Sequence, residues 1–362
     1  MRILIIEPYY TGSHKQWAEG YQHYSKHEIT IISMQGKFWK WRMHGGAITL
    51  ANQYRNLNET PDLILVTDML DLTTFLALTK TRAKTAIYFH ENQLSYPWSP
   101  KDRDIIKKRD NHYGFINYSS ALVADHVFFN SKFHMNAFIN DLNPFLKNFP
   151  DYRELNSIED IQNKSTVLHL GLWLEKFETY KREHHSKPLI LWNHRWEYDK
   201  NPEFFFTTLK KVKNANYDFD LVILGENFSN SPNIFSSAKN IFKENIIHWG
   251  YAKEFSEYAK WLWRANILPV TSHHDFFGAS VMEAIYCQTY PILPNRLSYP
   301  ELIPNQLHKK IIYNNDEELY EKIVGFIDNY DKQNFQKIKK IAKPYNWEIL
   351  APDYDTKMES IL

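Results

Sequence analysis

Residues 275–283 read DFFGASVME: an aspartate, a glycine three positions on, and a glutamate eight positions after the first acid. The preceding apolar run ends as a strand near Thr271, and Gly278 opens a helix through Ala279, Ser280, Val281 and Met282. A helix start offers amides with no internal partner, and glycine there lets an anion come close. Asp275, in the loop, would accept hydrogen bonds from a polyol. Glu283, about a turn inside the helix, would hold further hydroxyls such as a ribose diol. The spacing suits a nucleotide sugar, with hexose, diphosphate and ribose in a row. Helix capping by Asp275 would account for the same letters.

A second stretch, HRWEYDK, follows an apolar run and precedes a helix. Arg195 and Lys200 within it would place two cations on a diphosphate, where leaving-group charge develops. A solvated pair is the other reading of these two residues, but each motif supports its neighbour in the same half of the chain.

These residues need strands to carry them. RILIIEP, EITIIS, DLILVTD, TAIYFHE, HVFFNS and STVLHLG recur through the first half, and PLILWNHR, FDLVILGE, NIIHWGY, ANILPVTS and TYPILP through the second. Continuous rather than alternating apolar runs mark strands buried on both faces, hence two parallel-sheet α/β units in tandem. Ligands of such sheets bind beyond the carboxyl ends of strands, where both motifs fall. Residues 140–165, with two prolines and several asparagines, read as a last helix running toward a hinge. The final stretch begins as a helix and is expected to break or kink at Pro352.

The chain of 362 residues suits two domains. A net charge of +1 gives no global pull toward polyanions or membranes. The lone Cys287 cannot form an intrachain disulfide, fits a reducing compartment such as the cytoplasm, and excludes a cysteine-based zinc site. The opening MRILIIEPYY is too short an apolar run for a signal peptide or a membrane span and reads as a buried strand. Aromatic residues, 16% of the chain, suit either concave sites for sugars and bases or an aromatic core.

HRWEYDK resembles the Arg-x4-Lys diphosphate clamp of family 4 retaining glycosyltransferases. DFFGASVMEA resembles their E-x7-E motif with aspartate in first place, and HWGY resembles their glycine-ended strand. EPYYTGSHKQW, FHENQLSYP, HVFFNSKFH and LHLGL resemble the tRNA-queuosine alpha-mannosyltransferase family within that group. The resemblance spans nearly the whole chain and implies a GT-B architecture: two Rossmann-like domains facing a central cleft. Residues 1–172 would form the acceptor (tRNA) domain and 173–345 the nucleotide-sugar domain, with 346–362 a helix crossing back to the first.

Carried over residue by residue, the resemblance puts Arg195 and Lys200 on the diphosphate of GDP-mannose, Asp275 on the hexose, and Glu283 on the ribose. Phe277, Gly278 and Ala279 would face hexose and phosphate through their amides, Tyr251 would lie near the nucleobase, and His90 beside the reacting sugar. Gly12, Ser13, His14 and Lys15 match the loop approaching donor phosphates and acceptor, with Glu91 and Asn92 on the acceptor side. No cofactor or metal is implied, since cationic side chains replace the metal. On local grounds alone, His90 followed by Glu91 also suits a structural, hydrogen-bonded histidine, and Ser13 suits an N-cap. The adjacent histidines of TSHHD rarely converge on one ion.

Two departures from the pattern stand out. Asp275 is one methylene shorter than the usual glutamate, and Gln288 replaces a glycine of the turn after the helix, where the backbone is expected to differ.

From Lys37 to Asn58 there are four basic residues and no acid, with Phe38, Trp39 and Trp41 interleaved with Lys37, Lys40 and Arg42. Lys107, Lys108 and Arg109 add further charge. Such residues suit an anticodon loop, an anionic bilayer interface or an ordinary surface loop. The resemblance points to a tRNA anticodon loop carrying queuosine, without stable membrane insertion. A family 4 enzyme acting on a lipid or envelope saccharide is the alternative.

Overall fold

The computed structural model describes residues 1–57, 60–97, 111–182, 185–227, 231–330 and 335–362. Among them the chain divides into two compact units, one of Met1–Trp173 with Trp347–Leu362 and one of Leu174–Asn346. No helix among the described residues is long and apolar enough to cross a membrane.

The first unit is a six-stranded parallel sheet in the order β2-β1-β3-β4-β5-β6. Its strands are β1 (Arg2–Tyr10), β2 (Glu28–Gln35), β3 (Leu63–Thr67), β4 (Lys84–Phe89), β5 (His126–Phe129) and β6 (Ser165–Val167). Helices α1 (Gly12–Tyr24), α2 (Trp39–Arg55), α3 (Leu72–Thr79), α4 (Asn111–Val123), α5 (Lys132–Lys147) and α6 (Ser157–Asn163) intervene. All five residues of β3 are buried, as a strand covered on both faces requires.

The second sheet runs β12-β11-β10-β7-β8-β9, again parallel. It is built from β7 (Leu189–Trp192), β8 (Asp220–Ile223), β9 (Ile246–Trp249), β10 (Ile267–Pro269), β11 (Tyr290–Pro294) and β12 (Ile312–Tyr313). Around it lie α7 (Pro202–Asn214), α8 (Ile234–Ile241), α9 (Phe255–Arg264), α10 (Ala279–Tyr286) and α11 (Asp316–Asp328). An aromatic core fills this unit, where Trp196 stacks on Phe235 at 4.3 Å and Trp192 meets Phe205 at 4.9 Å. Much of the aromatic content is therefore structural.

Three expectations change. Residues 140–165 are no hinge: α5 runs on to Lys147, α6 follows, and β6 adds the sixth strand of the same sheet. The last helix, α12 (Trp347–Glu359), is not broken by Pro352. Its packing outweighs the roughly 3 kcal/mol a mid-helix proline costs. Trp17 Nε1 donates to Tyr354 Oη at 3.1 Å, Tyr354 Oη donates to the His169 carbonyl at 2.8 Å, and Tyr21 Oη donates to Asp355 Oδ1 at 3.0 Å. Two glycines make room for it, since a Cβ on Gly20 would lie 2.0 Å from Trp347 and one on Gly171 2.4 Å. Finally, Thr11 rather than Ser13 occupies the N-cap position of α1, without a side-chain hydrogen bond, and Ser13 sits exposed in the first turn.

Candidate active site

In the second unit β7 and β10 are neighbours in the sheet, and the segments after them meet. After β7 the chain passes through Asn193 to Arg195 into a short turn, Tyr198–Lys200, and Asn201 then caps α7 with its side chain. Thr271, following β10, donates its hydroxyl to the carbonyls of Lys200 and Asn201 at 2.9 and 3.0 Å, which ties the two segments together. Gly225 takes φ +106 and packs so tightly that a Cβ would fall 1.9 Å from the His194 carbonyl oxygen.

Lys200 is buried, and its Nζ donates to the His274 carbonyl at 2.7 Å and to Asp275 Oδ1 at 3.1 Å, with Asp199 Oδ2 at 3.2 Å. The other Asp275 oxygen accepts from Tyr299 Oη at 2.6 Å. Asp275 is therefore not a helix cap, and Gly278, at φ +83, occupies that position for α10 with no side-chain bond. Burial alone would raise the Asp275 carboxyl. Lys200, His194 and the Tyr299 hydroxyl outweigh it and hold the group at about 2. Burial pushes His194 and His274 down to about 4, so both imidazoles are neutral at neutral pH. Among the described residues the buried Nε2 of His194 has no hydrogen-bond partner.

Arg195 is the exposed member of the pair, with its guanidinium 3.2 Å from Glu197. Glu283, one turn into α10, accepts from Tyr258 Oη at 2.6 Å. Asn193 Nδ2 in turn donates to that hydroxyl at 3.1 Å and to the Ser280 carbonyl at 3.0 Å. Burial raises Glu283, opposed by the Tyr258 hydrogen bond. Phe277 is buried against Tyr345, Ala279 begins α10, and Tyr251, after Gly250, stands 60% exposed. Sequence reasoning missed Tyr258 and Tyr299 as partners of the two acids. Neither has a spacing relation to them, and Tyr258 sits in FSEYAKWLWR, which reads only as an amphipathic helix.

The first unit gathers a second set of polar groups at its own strand ends. His90, after β4, packs tilted against His14 at a centroid distance of 4.1 Å and edge-to-face with Trp17 at 4.9 Å. Its backbone amide donates to Asp68 Oδ1 at 2.8 Å. His14 Nδ1 lies 3.0 Å from Glu7 Oε2, and the ligand-capable atoms of Glu7, His14 and His90 all lie within 4.8 Å of one another. Burial lowers His90 well below the ordinary histidine range, helped by charge on His14. Gly12, at φ +50, and Lys15 are exposed beside them. Asn92 is fully buried, with Oδ1 accepting the Leu94 and Ser95 amides, and Glu91 Oε1 accepts from Gln93.

On α2 the basic and aromatic residues separate. Lys37 is exposed, as are Phe38 at 76% and Trp41 at 62%. Trp39 packs on Tyr113 at 5.1 Å beneath Lys40, and Arg42 Nε donates to the Gln35 carbonyl. Lys107, Lys108 and Arg109 lie outside the described residues.

Comparison with known proteins fits this layout. A family model described as "tRNA-queuosine alpha-mannosyltransferase N-terminal" matches residues 2–172, and one described as "Glycosyl transferases group 1" matches residues 175–343. Two solved structures share the fold. A glycosyltransferase from Rickettsia africae has a TM-score of 0.68 at 17% identity, covering 99% of this chain and 98% of that one. The sucrose-phosphate synthase of Thermosynechococcus elongatus has a TM-score of 0.71 at 11% identity, covering 100% and 99%. Both are similar in fold alone, the GT-B fold of two parallel-sheet α/β units. The tRNA-queuosine alpha-mannosyltransferase of Drosophila melanogaster is 34% identical over 339 residues, 90% of this chain and 86% of that protein. With that identity along both units, the chain belongs to the tRNA-queuosine alpha-mannosyltransferase family.

Proposed function

We propose that this enzyme transfers mannose from GDP-mannose to a hydroxyl of the cyclopentene-diol of queuosine, at the wobble position of a tRNA, with retention at the anomeric carbon. One juxtaposition carries the donor half: the buried ammonium of Lys200 against Asp275, at the adjoining ends of β7 and β10 and just before the N-terminal glycine of α10. A cation held there, away from bulk water, stabilises a departing phosphate more than it would in solvent. The acceptor half is supported by the similarity to the Drosophila enzyme.

In the proposed reaction the bond from the anomeric carbon to the phosphate oxygen breaks as the bond to the queuosine hydroxyl forms on the same face. The hydroxyl proton passes to the departing phosphate oxygen. Arg195 and Lys200 take the phosphate charge, so no metal is needed, while Asp275 orients the hexose and Glu283 the ribose. The amides around Phe277, Gly278 and Ala279 face the phosphate, and Tyr251 the base. His90 lies by the hexose, and Gly12, Ser13, His14, Lys15, Glu91 and Asn92 serve the acceptor. The exposed Lys37, Phe38 and Trp41 receive the anticodon loop. We place the enzyme in the cytoplasm with its tRNA substrate, where a buried free thiol such as Cys287 stays reduced. The family model over residues 2–172 and the Drosophila relative do not favour the lipid or envelope-saccharide alternative.

The test is transfer from GDP-mannose to queuosine-containing tRNA beside the same tRNA carrying guanosine, with nucleoside masses read after digestion. A hexose mass added to queuosine alone is expected. Hydrolysis of the donor without transfer to either tRNA would overturn the acceptor assignment.

A further inference from the structure

β1 is apolar from Ile3 to Ile6, then buries a glutamate: Glu7 is 0% exposed. A carboxylate in such a place is costly unless it is bonded and paired. Glu7 is both. Its Oε1 accepts the Tyr9 amide at 2.8 Å, and its Oε2 accepts Nδ1–H of His14 at 3.0 Å. His14 itself is only 8% exposed, in the first turn of α1, with its ring tilted against His90 at 4.1 Å and near-perpendicular to Tyr9 at 6.0 Å. Three contacts thus fix the imidazole, and among the described residues its Nε2 has no partner.

The surroundings favour charge on that ring. Burial would lower His14, but Glu7 beside it, with Asp68 after β3 and Glu91 after β4, raises it to about 9. Burial raises Asp68, to about 8, and Glu7 is the carboxylate in direct hydrogen-bond contact with the ring. His90 stays neutral and does not compete for the proton. The amides of Gly12, Ser13 and His14 come before the first amide bonded within α1, that of Lys15, which donates to the Thr11 carbonyl. A Cβ on Gly12 would meet nothing within 4 Å, so the approach is open.

We propose that Glu7 is a positioning residue for the transfer: it holds Nδ1 of His14 so that the Nε2–H is presented, with the first amides of α1, to a phosphate oxygen. This rests on the reading above, in which the reaction brings two kinds of phosphate, that of the nucleotide sugar and that of the RNA backbone. Glu7 acts only through His14 and touches neither substrate.

The experiment compares wild type, E7Q and H14Q. It records melting, steady-state transfer from pH 6 to 10, and the imidazole 15N signals of His14 with and without pyrophosphate. E7Q keeps a hydrogen-bonding side chain but removes the charge, so the alkaline limb of kcat/KM is expected to move down by at least one pH unit. H14Q is expected to lower kcat/KM by about 10–100-fold. A rise in KM for GDP-mannose alone identifies the donor phosphate, and a rise in KM for tRNA alone the RNA backbone. An E7Q enzyme that melts like wild type and keeps both its rate and its alkaline limb would overturn the proposal. If E7Q does not fold, an H14Q enzyme that folds and keeps both KM values and kcat overturns it instead. Should wild type transfer no mannose to queuosine, the reading above fails separately. Pyrophosphate must then still shift the His14 signals in wild type, and absence of that shift overturns the present inference.

Discussion

Nζ of Lys200 and Oδ1 of Asp275 are 3.1 Å apart, and the second Asp275 oxygen is held by the hydroxyl of Tyr299. The carboxylate is thereby held in one orientation from both sides. Lys200→Ala is expected to lower kcat/KM by about 10²–10³, since it removes charge stabilisation and leaves Asp275 buried without its cation. Tyr299→Phe should cost about 10-fold, because Lys200 still anchors one oxygen. Steady-state kinetics with GDP-mannose checks both, and equal effects from the two changes would contradict the ranking.

The same pair makes a signed statement about acid stability. Asp275 is held at about 2, below an unfolded carboxyl near 4, so its contribution is complete above pH ~4 and is lost as pH falls toward 2. The urea-unfolding difference between wild type and Asp275→Asn should be constant from pH 7 to about 4.5, on the order of 2 kcal/mol, and shrink below that. A difference that grows on acidification would contradict this assignment.

Glu283 is proposed to hold the ribose, and its kinetics should differ. Glu283→Ala is expected to raise KM for GDP-mannose by about 10-fold or more, with a smaller change in kcat, as removal of ground-state binding does. Tyr258→Phe frees one carboxylate oxygen and loosens Asn193, and about a 3–5-fold rise in KM should follow. Titration calorimetry with GDP alone checks the same ranking without chemistry.

The two tryptophans at the start of α2 should part company. Trp41 is exposed, so Trp41→Ala should weaken tRNA binding by about 1–3 kcal/mol while leaving the melting temperature nearly unchanged. Trp39, packed on Tyr113, should lower stability when truncated. Filter binding at two salt concentrations beside thermal melts separates these outcomes.

Gln288 follows α10 at φ +72, a backbone that glycine adopts freely and side chains resist. Gln288→Gly should raise stability by about 0.5–1 kcal/mol, the relief of strain exceeding glycine's added unfolded-state entropy. A lower melting temperature would mean that the Gln288 side chain makes contacts outweighing the strain.

Much of the scaffold was readable because buried parallel strands announce themselves as unbroken apolar runs. Eleven of the strands correspond to such runs, and β12 does not, because two residues carry no period. Loops after strands pointed to Lys200 and Asp275, which the fold brings into contact. Tyr258 and Tyr299 were invisible because their contacts depend on tertiary packing rather than spacing. Glu7 was hidden for the opposite reason, as one polar letter inside a run whose apolar character made it look purely structural. Pro352 misled because packing on α12 outweighs a local helix-breaking signal.

The seat of α12 has a consequence for synthesis. The gap over Gly20 and Gly171 is made by early residues but filled by Trp347, which leaves the ribosome only after the whole intervening unit. Until then Trp17, Tyr21 and Tyr88, all fully buried in the finished protein, lack the Tyr354 ring and hydroxyl that they meet there. The amino-terminal sheet must therefore wait, with aromatic surface uncovered, while the second unit is made and folds. Sticky nascent chains of this kind are natural clients of chaperones that shield apolar surface during translation.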